Sequence, residues 1–182
     1  MNLWFRLLWA LISWRSRGPL SVWDMGSRPF RVWPSDLDIF NHKNNGKYLS
    51  LLDLGRFDIL MRSGAWKALG KKNWYPVVVA ETITFRKSLA PWMKFHIESQ
   101  IVGWDAEAFY AEQRFTVDGE IYASAIVRLR FLARPRGVVT PQMILEYLGE
   151  PARQVVLPQW ISQWAKTVSL PKGKEPAPSV WN

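Results

Sequence analysis

The sequence predicts an α+β fold in which an antiparallel sheet wraps around one long, buried helix. The helix is predicted over Asn45–Arg62, where apolar residues cover most of a helical circumference and only Ser50, Asp53 and Arg56 form a polar strip. A helix at the surface would be apolar on one side only, so we expect this one to be surrounded by protein. The sheet is predicted from four later stretches in which apolar and polar residues alternate, as they do in half-buried strands.

The alternating stretches predict an antiparallel meander. They cover Val77–Ser88, Phe95–Trp104, Ala108–Val117 and Ile121–Ala133. In the first stretch, one apolar face is formed by Val77, Val79, Ile83 and Phe85. The Asp118-Gly119 pair is typical of a tight hairpin between the last two stretches, and a further strand is expected over Arg28–Trp33, before the helix. A sheet that wraps a helix inserted after its first strand has the hotdog architecture.

Gly55 lies in the middle of the predicted helix. Glycine weakens a helix interior by up to about 1 kcal/mol relative to alanine. We therefore expect the helix backbone to approach the sheet, or another subunit, closely at this position.

The central domain, predicted over residues 19–140, has additional segments at both ends. Residues 1–18 are apolar, rich in Trp and predicted to be helical. Residues 141–170 predict a helical extension, and residues 171–182 predict a flexible tail. The extension contains a short helix at Met143–Leu148, followed by a one-sided apolar stripe formed by Trp160, Ile161, Trp164, Ala165 and Val168.

The N-terminal segment Leu3–Trp14 is too short to cross a bilayer, since a transmembrane helix needs roughly 20 residues. It also lacks a convincing signal-peptide cleavage site. Two interpretations remain open. With Arg15 and Arg17 behind it, the segment can lie in a membrane interface, or it can pack on its own domain or on a neighbouring subunit. We favour the second interpretation.

The composition excludes several functional classes. The chain has no cysteine and only two histidines, His42 and His96, which excludes disulfides, thiolate nucleophiles and zinc sites built on sulfur. It has no Gly-rich phosphate loop and no G-x-S-x-G motif. The net charge of +9 favours nucleic acid, an anionic membrane surface or a substrate with phosphates, and an ordinary basic surface explains it equally well. We see no helix-turn-helix and expect no nucleic-acid partner.

The segment from Asp36 to Tyr48 carries the chemistry. Two carboxylates, Asp36 and Asp38, precede the N-terminus of the predicted buried helix. The first amides of a helix have no intrahelical acceptor, and the helix dipole adds positive potential, so they can stabilise an oxyanion. A neighbouring carboxylate could attack a carbonyl group or activate water. Asp and Asn in front of a helix are also ordinary capping residues, and the residues alone leave both interpretations open.

The same segment resembles a known signature. The pattern is similar to that of hotdog acyl-CoA thioesterases of the 4-hydroxybenzoyl-CoA thioesterase type, and it reads Asp36-x-Asp38-x-x-x-His42-x-Asn44-Asn45-x-x-Tyr48-x-x-x-x-Asp53-x-x-Arg56. The lead-in over residues 33–38 resembles the subgroup named thioesterase superfamily member six-like. The likeness in fold covers roughly residues 22–135.

The resemblance implies a role for each motif residue. Asp38 is the expected catalytic residue, as a nucleophile that forms a mixed anhydride or as a general base for water. The backbone amide of Asn45 is expected to polarise the thioester carbonyl. His42, Asn44 and Tyr48 are expected at the substrate site, where His42 and Asn44 shape the loop and Tyr48 packs along the helix with Arg56.

The sequence departs from the family pattern at two positions. Asn41 stands where many members have glycine, and Asn tolerates a left-handed backbone better than most residues. Asp53 replaces the commoner glutamate, which shortens any pairing with Arg56.

An acyl-CoA substrate would account for the basic composition, because its phosphates need cationic partners. Arg86 and Lys87, and also Arg128 and Arg130 on the polar face of the last strand, are the candidates. The resemblance implies a homodimer or homotetramer whose sheets join edge to edge, with the site at that interface. We expect no metal and no organic cofactor, and a cytoplasmic protein that can contact a membrane through residues 3–14.

Two other functions stay open. A hotdog hydratase or dehydratase would use a histidine paired with an acidic residue, but the spacing of Asp38 and His42 does not fit the usual Asp-x-x-x-x-His pattern. A non-catalytic hotdog module could bind acyl-CoA or a membrane.

Overall fold

The computed structural model describes residues 3–150, 157–171 and 175–179. The helices are α1 (Leu3–Ser13), α2 (Asn45–Arg62), α3 (Ala65–Lys71), α4 (Pro141–Leu148) and α5 (Gln159–Thr167). The strands are β1 (Gly26–Arg31), β2 (Trp74–Phe85), β3 (Lys94–Trp104), β4 (Phe109–Val117), β5 (Glu120–Ala133) and β6 (Val138–Val139).

The strands form one antiparallel sheet that curls around α2. Its order is β1-β3-β4-β5-β2, and β6 pairs with β5. The Asp118-Gly119 pair forms the tight turn between β4 and β5, with φ angles of 48° and 80°. The main core lies between α2 and the inner face of the sheet. The predicted wrapping of a sheet around a central helix is confirmed.

Helix α2 begins and ends at the predicted residues, and it approaches the sheet closely at Gly55. A Cβ atom at Gly55 would lie 2.5 Å from the Oγ atom of Ser99 and 2.9 Å from the Nε2 atom of Gln113. Both distances are too short for any side chain, so glycine allows the helix to lie directly on β3 and β4. Of the two expectations for this residue, approach to the sheet is correct.

Strand β2 differs from its prediction in its start and in its alternation. It begins at Trp74, and its pairing with β5 shifts register between Val78 and Ala80. The extra residue changes which side chains share a face. Val78 therefore lies on the helix-facing side together with Ile83, and the predicted face that combined Val77 with Ile83 is wrong.

Helix α5 packs on the outer face of the sheet. Its Ile161 and Ala165 are buried against Tyr110 and Ile126 in a second, smaller core. Trp160 and Val168, which the predicted stripe included, are 53% and 41% exposed. The docked face is therefore narrower than the sequence pattern predicted.

Helix α1 packs on its own domain with its arginine inward and most of its large apolar side chains outward. Arg6 and Ala10 face inward and are each 3% exposed, and Leu7 packs against the core, while most of the large apolar residues face outward. The large outward side chains, 39–73% exposed, are Trp4, Phe5, Leu8, Trp9, Leu11 and Ile12. We call this set the outer face of α1. In the described parts of the chain, no helix has both the length and the apolar character that a membrane span requires.

The residues that follow α1 are tied to α2 through one buried carboxylate, that of Asp58. Its oxygens accept hydrogen bonds from Arg17 at 2.8 Å, from Arg28 at 2.9 Å and from Arg62 at 3.3 Å. Since Asp58 lies in the last turns of α2, this cluster attaches the N-terminal segment to the central helix.

Two further elements differ from the sequence prediction. The first strand covers Gly26–Arg31 and not residues 28–33, and α3 was not predicted at all. In the predicted tail, residues 172–174 and 180–182 lie outside the described residues, and the described part forms no helix or strand.

Candidate active site

The segment before α2 folds into a short antiparallel hairpin. Leu37 and Lys43 form a β-bridge, the amide of Asp38 donates to the carbonyl of His42 at 2.8 Å, and the amide of Asn44 donates to the carbonyl of Asp36 at 2.8 Å. The arm that carries the two carboxylates therefore lies beside the arm that leads into α2. We call residues 36–44 the site hairpin.

The turn of the site hairpin depends on Asn41. Its φ angle of 58° is left-handed, as expected for a residue that replaces glycine. Ile39 and Phe40, which precede Asn41 in the turn, are 92% and 74% exposed. The hairpin thus presents an apolar tip next to Asp38.

Asp38 is half-buried, and its two carboxylate oxygens differ. Oδ1 accepts hydrogen bonds from the amides of Phe40 at 2.9 Å and His42 at 3.2 Å. Within the described chain, Oδ2 accepts none. The two amides fix the carboxylate, and the second oxygen keeps its lone pairs for a proton or for a carbonyl carbon.

The backbone amides at the start of α2 differ in their hydrogen bonds. The side chain of Asn44 caps the helix by accepting from the amide of Gly46 at 2.9 Å, and the amide of Lys47 donates to the Asn44 carbonyl at 2.9 Å. Asn45 is the first helical residue, and its amide finds no acceptor among the described residues. Asn45 is exposed and follows the site hairpin directly, so its amide is accessible to a ligand.

Asp36 has the opposite environment. It is 2% exposed, and its Oδ2 atom accepts hydrogen bonds from Arg6 of α1 at 2.5 Å and from the amide of Trp33 at 3.0 Å. The ammonium group of Lys43 lies 3.8 Å from the same oxygen. Asp36 is therefore a buried, charge-paired residue that holds α1 on the site hairpin.

Lys43 is buried although it is charged at neutral pH. Its ammonium group lies 5.4 Å from the ring centre of Tyr48 and 5.5 Å from that of Phe95, and it makes no hydrogen bond with a described residue. Burial lowers the pKa of Lys43 from 10.5 to about 8, and the nearby Asp36 carboxylate opposes this change.

The other predicted site residues lie in different environments, and only some of them are exposed near Asp38. Tyr48 is 2% exposed in the core, where burial raises the pKa of its phenol, so it does not reach solvent beside Asp38. His42 is exposed on the hairpin. Arg86 and Lys87 follow Phe85, whose ring packs 5.0 Å from that of Tyr48, and both pair with Glu120 at 2.7 Å. They lie close to the start of α2.

Arg128 and Arg130 lie elsewhere. They alternate along β5 with residues of the main core and share the outer face of the sheet with Ile126. Arg128 donates to Ser169 at 3.0 Å, beyond the end of α5, and to Glu107 at 3.2 Å. Within one chain, the structure does not bring these two arginines together with Asp38.

A buried polar network follows the middle of α2. Arg56 pairs with Asp53 and donates to the Oε1 atom of Gln113 at 2.5 Å. Gln113 in turn donates to Ser99 at 2.7 Å and to the carbonyl of Leu52 at 2.9 Å. Burial lowers the pKa of Arg56. The predicted pairing of Asp53 with Arg56 is confirmed, and no other motif residue is part of this network.

An apolar cavity of about 310 Å³ lies beyond this network, between the second half of α2 and the sheet. Helices α3 and α4 complete its wall through residues such as Trp66 and Leu145. Its polar lining consists of Asp53 and Arg56. Among the described residues, no group of three His, Cys, Asp or Glu side chains could hold a metal ion.

Residues 32–165 match the family described as the thioesterase-like superfamily. The chain belongs to this superfamily. It is 34% identical over 133 residues to protein THEM6 of Xenopus laevis and 35% identical over 144 residues to protein THEM6 of Danio rerio, which is 71% and 76% of this chain. It is also 30% identical over 118 residues, or 64% of this chain, to a probable thioesterase of Saccharomyces cerevisiae.

These matches span 64%, 68% and 51% of the three relatives, so the chain covers between half and about two thirds of their lengths.

Solved structures agree on the fold. The YbaW probable thioesterase of Escherichia coli gives a TM-score of 0.64 at 22% identity over 70% of this chain and 98% of that one. A 1,4-dihydroxy-2-naphthoyl-CoA thioesterase of Synechocystis gives a TM-score of 0.58 at 14% identity, over 69% of this chain and 96% of that one. The predicted family and its hotdog fold are confirmed.

Sequence reasoning missed Arg6, Lys43 and Gln113. Arg6 left a signal, since it is the single charge inside an apolar helix, and such a charge must be paired if it faces the protein. Lys43 and Gln113 left none, because a lysine in a loop and a glutamine in a strand are ordinary surface residues. Their burial depends on contacts between distant parts of the chain.

Proposed function

We propose that this protein is an acyl-CoA thioesterase that hydrolyses a CoA thioester to the free acid and CoA. The observation that carries the proposal is a fixed carboxylate on the site hairpin, followed directly by a helix whose first amide has no acceptor in the described chain. Asp38 has an unoccupied Oδ2, and the amide of Asn45 is the first-turn donor without an acceptor in the described chain. Superfamily membership supports the reaction class.

In the proposed reaction, the amide of Asn45 donates to the thioester oxygen, where negative charge grows in the transition state. As a general base, Asp38 takes a proton from the water that attacks the carbonyl carbon. As a nucleophile, Asp38 itself attacks that carbon, and water then hydrolyses the mixed anhydride. Both routes break the carbon–sulfur bond and release CoA. Rapid quenching and intact-mass measurement separate them, because only the nucleophilic route gives an acyl adduct of the protein.

The test is thiol release from a panel of acyl-CoA esters. The wild type is expected to turn over at least one ester, and Asp38→Asn to reduce kcat by about 10²–10⁴-fold, the typical contribution of a positioned proton-transfer group. His96→Asn, on the exposed side of β3, is the matched control and is expected to retain kcat. Equal activity of Asp38→Asn and the wild type would contradict the assignment of Asp38.

The same assays separate the two other functions. A binding module would bind acyl-CoA without releasing thiol. A hydratase would consume crotonyl-CoA with a loss of absorbance and without thiol release.

For the phosphates of CoA we propose Arg86 and Lys87, which lie close to the start of α2. Arg128 and Arg130, on the outer face of the sheet, are not part of this proposal.

We propose a homodimer that forms through β2. This twelve-residue strand is an edge of the sheet, and its Val78 and Val79 are 41% and 45% exposed. A long, apolar, unpaired edge favours pairing with another strand. Sedimentation is expected to give a dimer for the wild type and a monomer for Val79→Lys, and a monomeric wild type would contradict the proposal.

We also propose that α1 contacts an anionic membrane surface. Its buried arginine is paired with Asp36, so the helix stays on the domain while Trp4 and Trp9 on its outer face reach solvent at 73% and 64% exposure. Trp is favoured at membrane interfaces, and the net charge of +9 is complementary to anionic lipids.

Vesicle flotation tests this contact. The wild type is expected to float with vesicles that contain phosphatidylserine, and the double variant Trp4→Ser/Trp9→Ser to remain in the dense fraction. Leu170→Ser, which removes an exposed apolar side chain far along the chain, is the control. Equal flotation of the double variant and the wild type would contradict the membrane contact.

A further inference from the structure

The single charged residue of α1, Arg6, lies behind the site hairpin. Its side chain is 3% exposed. The Nη2 atom donates to the Oδ2 atom of Asp36 at 2.5 Å and to the backbone carbonyl of Arg31, at the end of β1, at 3.2 Å. One nitrogen of one side chain therefore joins α1, β1 and the site hairpin. Arg6 lies outside the residues that match the superfamily.

Asp36 connects this contact to both arms of the site hairpin. Its Oδ2 atom also accepts from the amide of Trp33 at 3.0 Å, and its carbonyl oxygen accepts from the amide of Asn44 at 2.8 Å. Asp38 follows two residues later on the same arm, and its amide donates to the carbonyl of His42. The position of Asp36 therefore sets how far Asp38 lies from the arm that leads into α2.

The second arm of the hairpin leads to the proposed oxyanion donor. Asn44, opposite Asp36, caps α2 by accepting from the amide of Gly46 at 2.9 Å. Asn45, whose amide is proposed to polarise the thioester, is the next residue. The hydrogen bond between Asp36 and Asn44 thus joins the arm of the proposed base to the arm of the proposed donor. A displacement of Asp36 would change the gap between Asp38 and Asn45.

Lys43 cannot replace Arg6 in holding Asp36. Its Nζ atom lies 3.8 Å from the Oδ2 atom of Asp36 and makes no hydrogen bond with a described residue. A lysine ammonium is a point charge on a flexible stem, whereas a guanidinium presents its N–H donors in a rigid, planar fork. Arg6 therefore supplies the directional contacts that fix Asp36 relative to β1.

Stability alone does not account for this buried cluster of charges. Apolar residues of similar volume often stabilise a protein interior as well as a buried ion pair does, because charges are costly to remove from water. The Nε atom of Arg6 and the Nζ atom of Lys43 also lack a hydrogen-bond partner among the described residues, which adds to this cost. A buried ion pair can instead hold its partners in one geometry, and a catalytic site needs such support from the residues behind it.

We infer that Arg6 is a positioning residue for the proposed hydrolysis. Through Asp36, it fixes the separation between Asp38 and the amide of Asn45, between which the thioester carbonyl has to fit. This role rests on the proposed thioesterase function, and it makes α1 a necessary support of the catalytic site. Because Arg6 is buried behind the hairpin, it does not touch the substrate, and its loss should affect kcat and not KM.

The first test compares two buried arginines. In Arg6→Met, kcat is expected to fall about 10–10²-fold, since a displacement of reacting groups by about 1 Å can cost this much, while KM stays within about twofold of the wild type. Arg28→Met is the matched control, because Arg28 is also 3% exposed and pairs with the buried Asp58 at 2.9 Å, in the last turns of α2. Arg28→Met is expected to lower the melting temperature as Arg6→Met does and to retain the wild-type kcat.

A conservative variant separates positioning from folding. Arg6→Lys keeps the positive charge and one donor but loses the planar fork, so its kcat should lie between those of Arg6→Met and the wild type. All rates are measured at a temperature at which circular dichroism shows each variant to be folded. If Arg6→Met does not fold, Arg6→Lys takes its place, with a kcat below that of Arg28→Met.

Hydrogen exchange of the hairpin amides gives a readout that does not depend on activity. The amides of Asp38 and Asn44 donate to backbone carbonyls within the site hairpin. Both are expected to exchange at least about tenfold faster in Arg6→Met than in the wild type, because the hairpin opens locally. In Arg28→Met they should exchange at the wild-type rate.

The outcomes separate the inference from the function on which it rests. A wild type that releases no thiol from any acyl-CoA overturns both. An active wild type with equal kcat values for Arg6→Met and Arg28→Met overturns the inference alone, as do hairpin amides that exchange equally fast in these two variants. A selective loss of kcat in Arg6→Met, together with selectively faster exchange at Asp38 and Asn44, supports it.

Discussion

Asp36 and Asp38 are two residues apart on the same hairpin, and their surroundings are opposite. Asp36 is buried and paired with Arg6 and Lys43, whereas Asp38 is half-buried and is held, among the described residues, by two backbone amides on one oxygen. The cations occupy the carboxylate of Asp36, whereas Oδ2 of Asp38 accepts no hydrogen bond from a described residue. The comparison shows that contacts from other parts of the chain, and not the residue type, separate the buried, paired carboxylate from the one that we propose for catalysis.

The largest expected effect comes from Asp36→Asn. Removing one partner of a buried ion pair leaves the other charges uncompensated, which costs about 3–5 kcal/mol in the free energy of unfolding. Chemical denaturation should show this loss. Asp38→Asn keeps an acceptor for the amides of Phe40 and His42, so its free energy of unfolding should stay within about 1 kcal/mol of the wild type. Equal destabilisation by the two substitutions would remove the distinction between the carboxylates.

A smaller effect is expected from Lys43, and it depends on pH. Its folded pKa of about 8 lies below the ordinary value of 10.5, so the unfolded chain binds this proton more tightly. The free energy of unfolding should therefore rise between about pH 8 and 10.5, by about 3 kcal/mol at most.

In the Lys43→Met variant, the free energy of unfolding should lack the rise between about pH 8 and 10.5 that Lys43 causes. Its free energy of unfolding relative to the wild type should therefore fall as the pH increases from 7 to 10, as measured by denaturation at fixed salt. Lys94→Met, on the exposed side of β3, is the control, and its curve should run parallel to that of the wild type. A parallel curve for Lys43→Met would show that the amine is not desolvated.

The smallest effect is expected at the tip of the hairpin. Asn41 has a φ angle of 58°, which most side chains adopt only with strain. Asn41→Ala should cost about 1 kcal/mol in the free energy of unfolding, and Asn41→Gly should cost less, because glycine adopts this backbone freely. Thermal unfolding measures both. Identical melting temperatures for the two variants would mean that the turn does not hold this backbone in solution.

The parts of the fold that were predicted well depend on residues that lie close together in the sequence. Helix α2 was predicted at both ends, since its all-round apolar character and the polar loop before it are visible in the sequence. The β2 bulge was not predicted, because one extra residue shifts a face without changing composition. Helix α3 was missed because its seven residues are too few for a clear period.

The candidate site was predicted in part. The motif indicated Asp38 and Asn45, and the capping by Asn44 followed from its position before the helix. The motif could not indicate Arg6, thirty residues before Asp36, since their contact depends on how α1 docks. The sequence also could not place Arg128 and Arg130, because alternation along a strand does not tell which polar face lies near the helix start.

The most direct test of the proposed mechanism removes the amide hydrogen of Asn45. Asn45 is the first residue of α2, where proline is well tolerated, and Asn44 before it already has an extended backbone at φ −60° and ψ 134°. Asn45→Pro therefore deletes the free amide and keeps the helix, while Asn45→Ala keeps the amide. The account predicts a kcat about 10²–10³-fold lower for Asn45→Pro than for Asn45→Ala, with similar melting temperatures. Equal kcat values for the two variants would contradict the claim that this amide polarises the thioester.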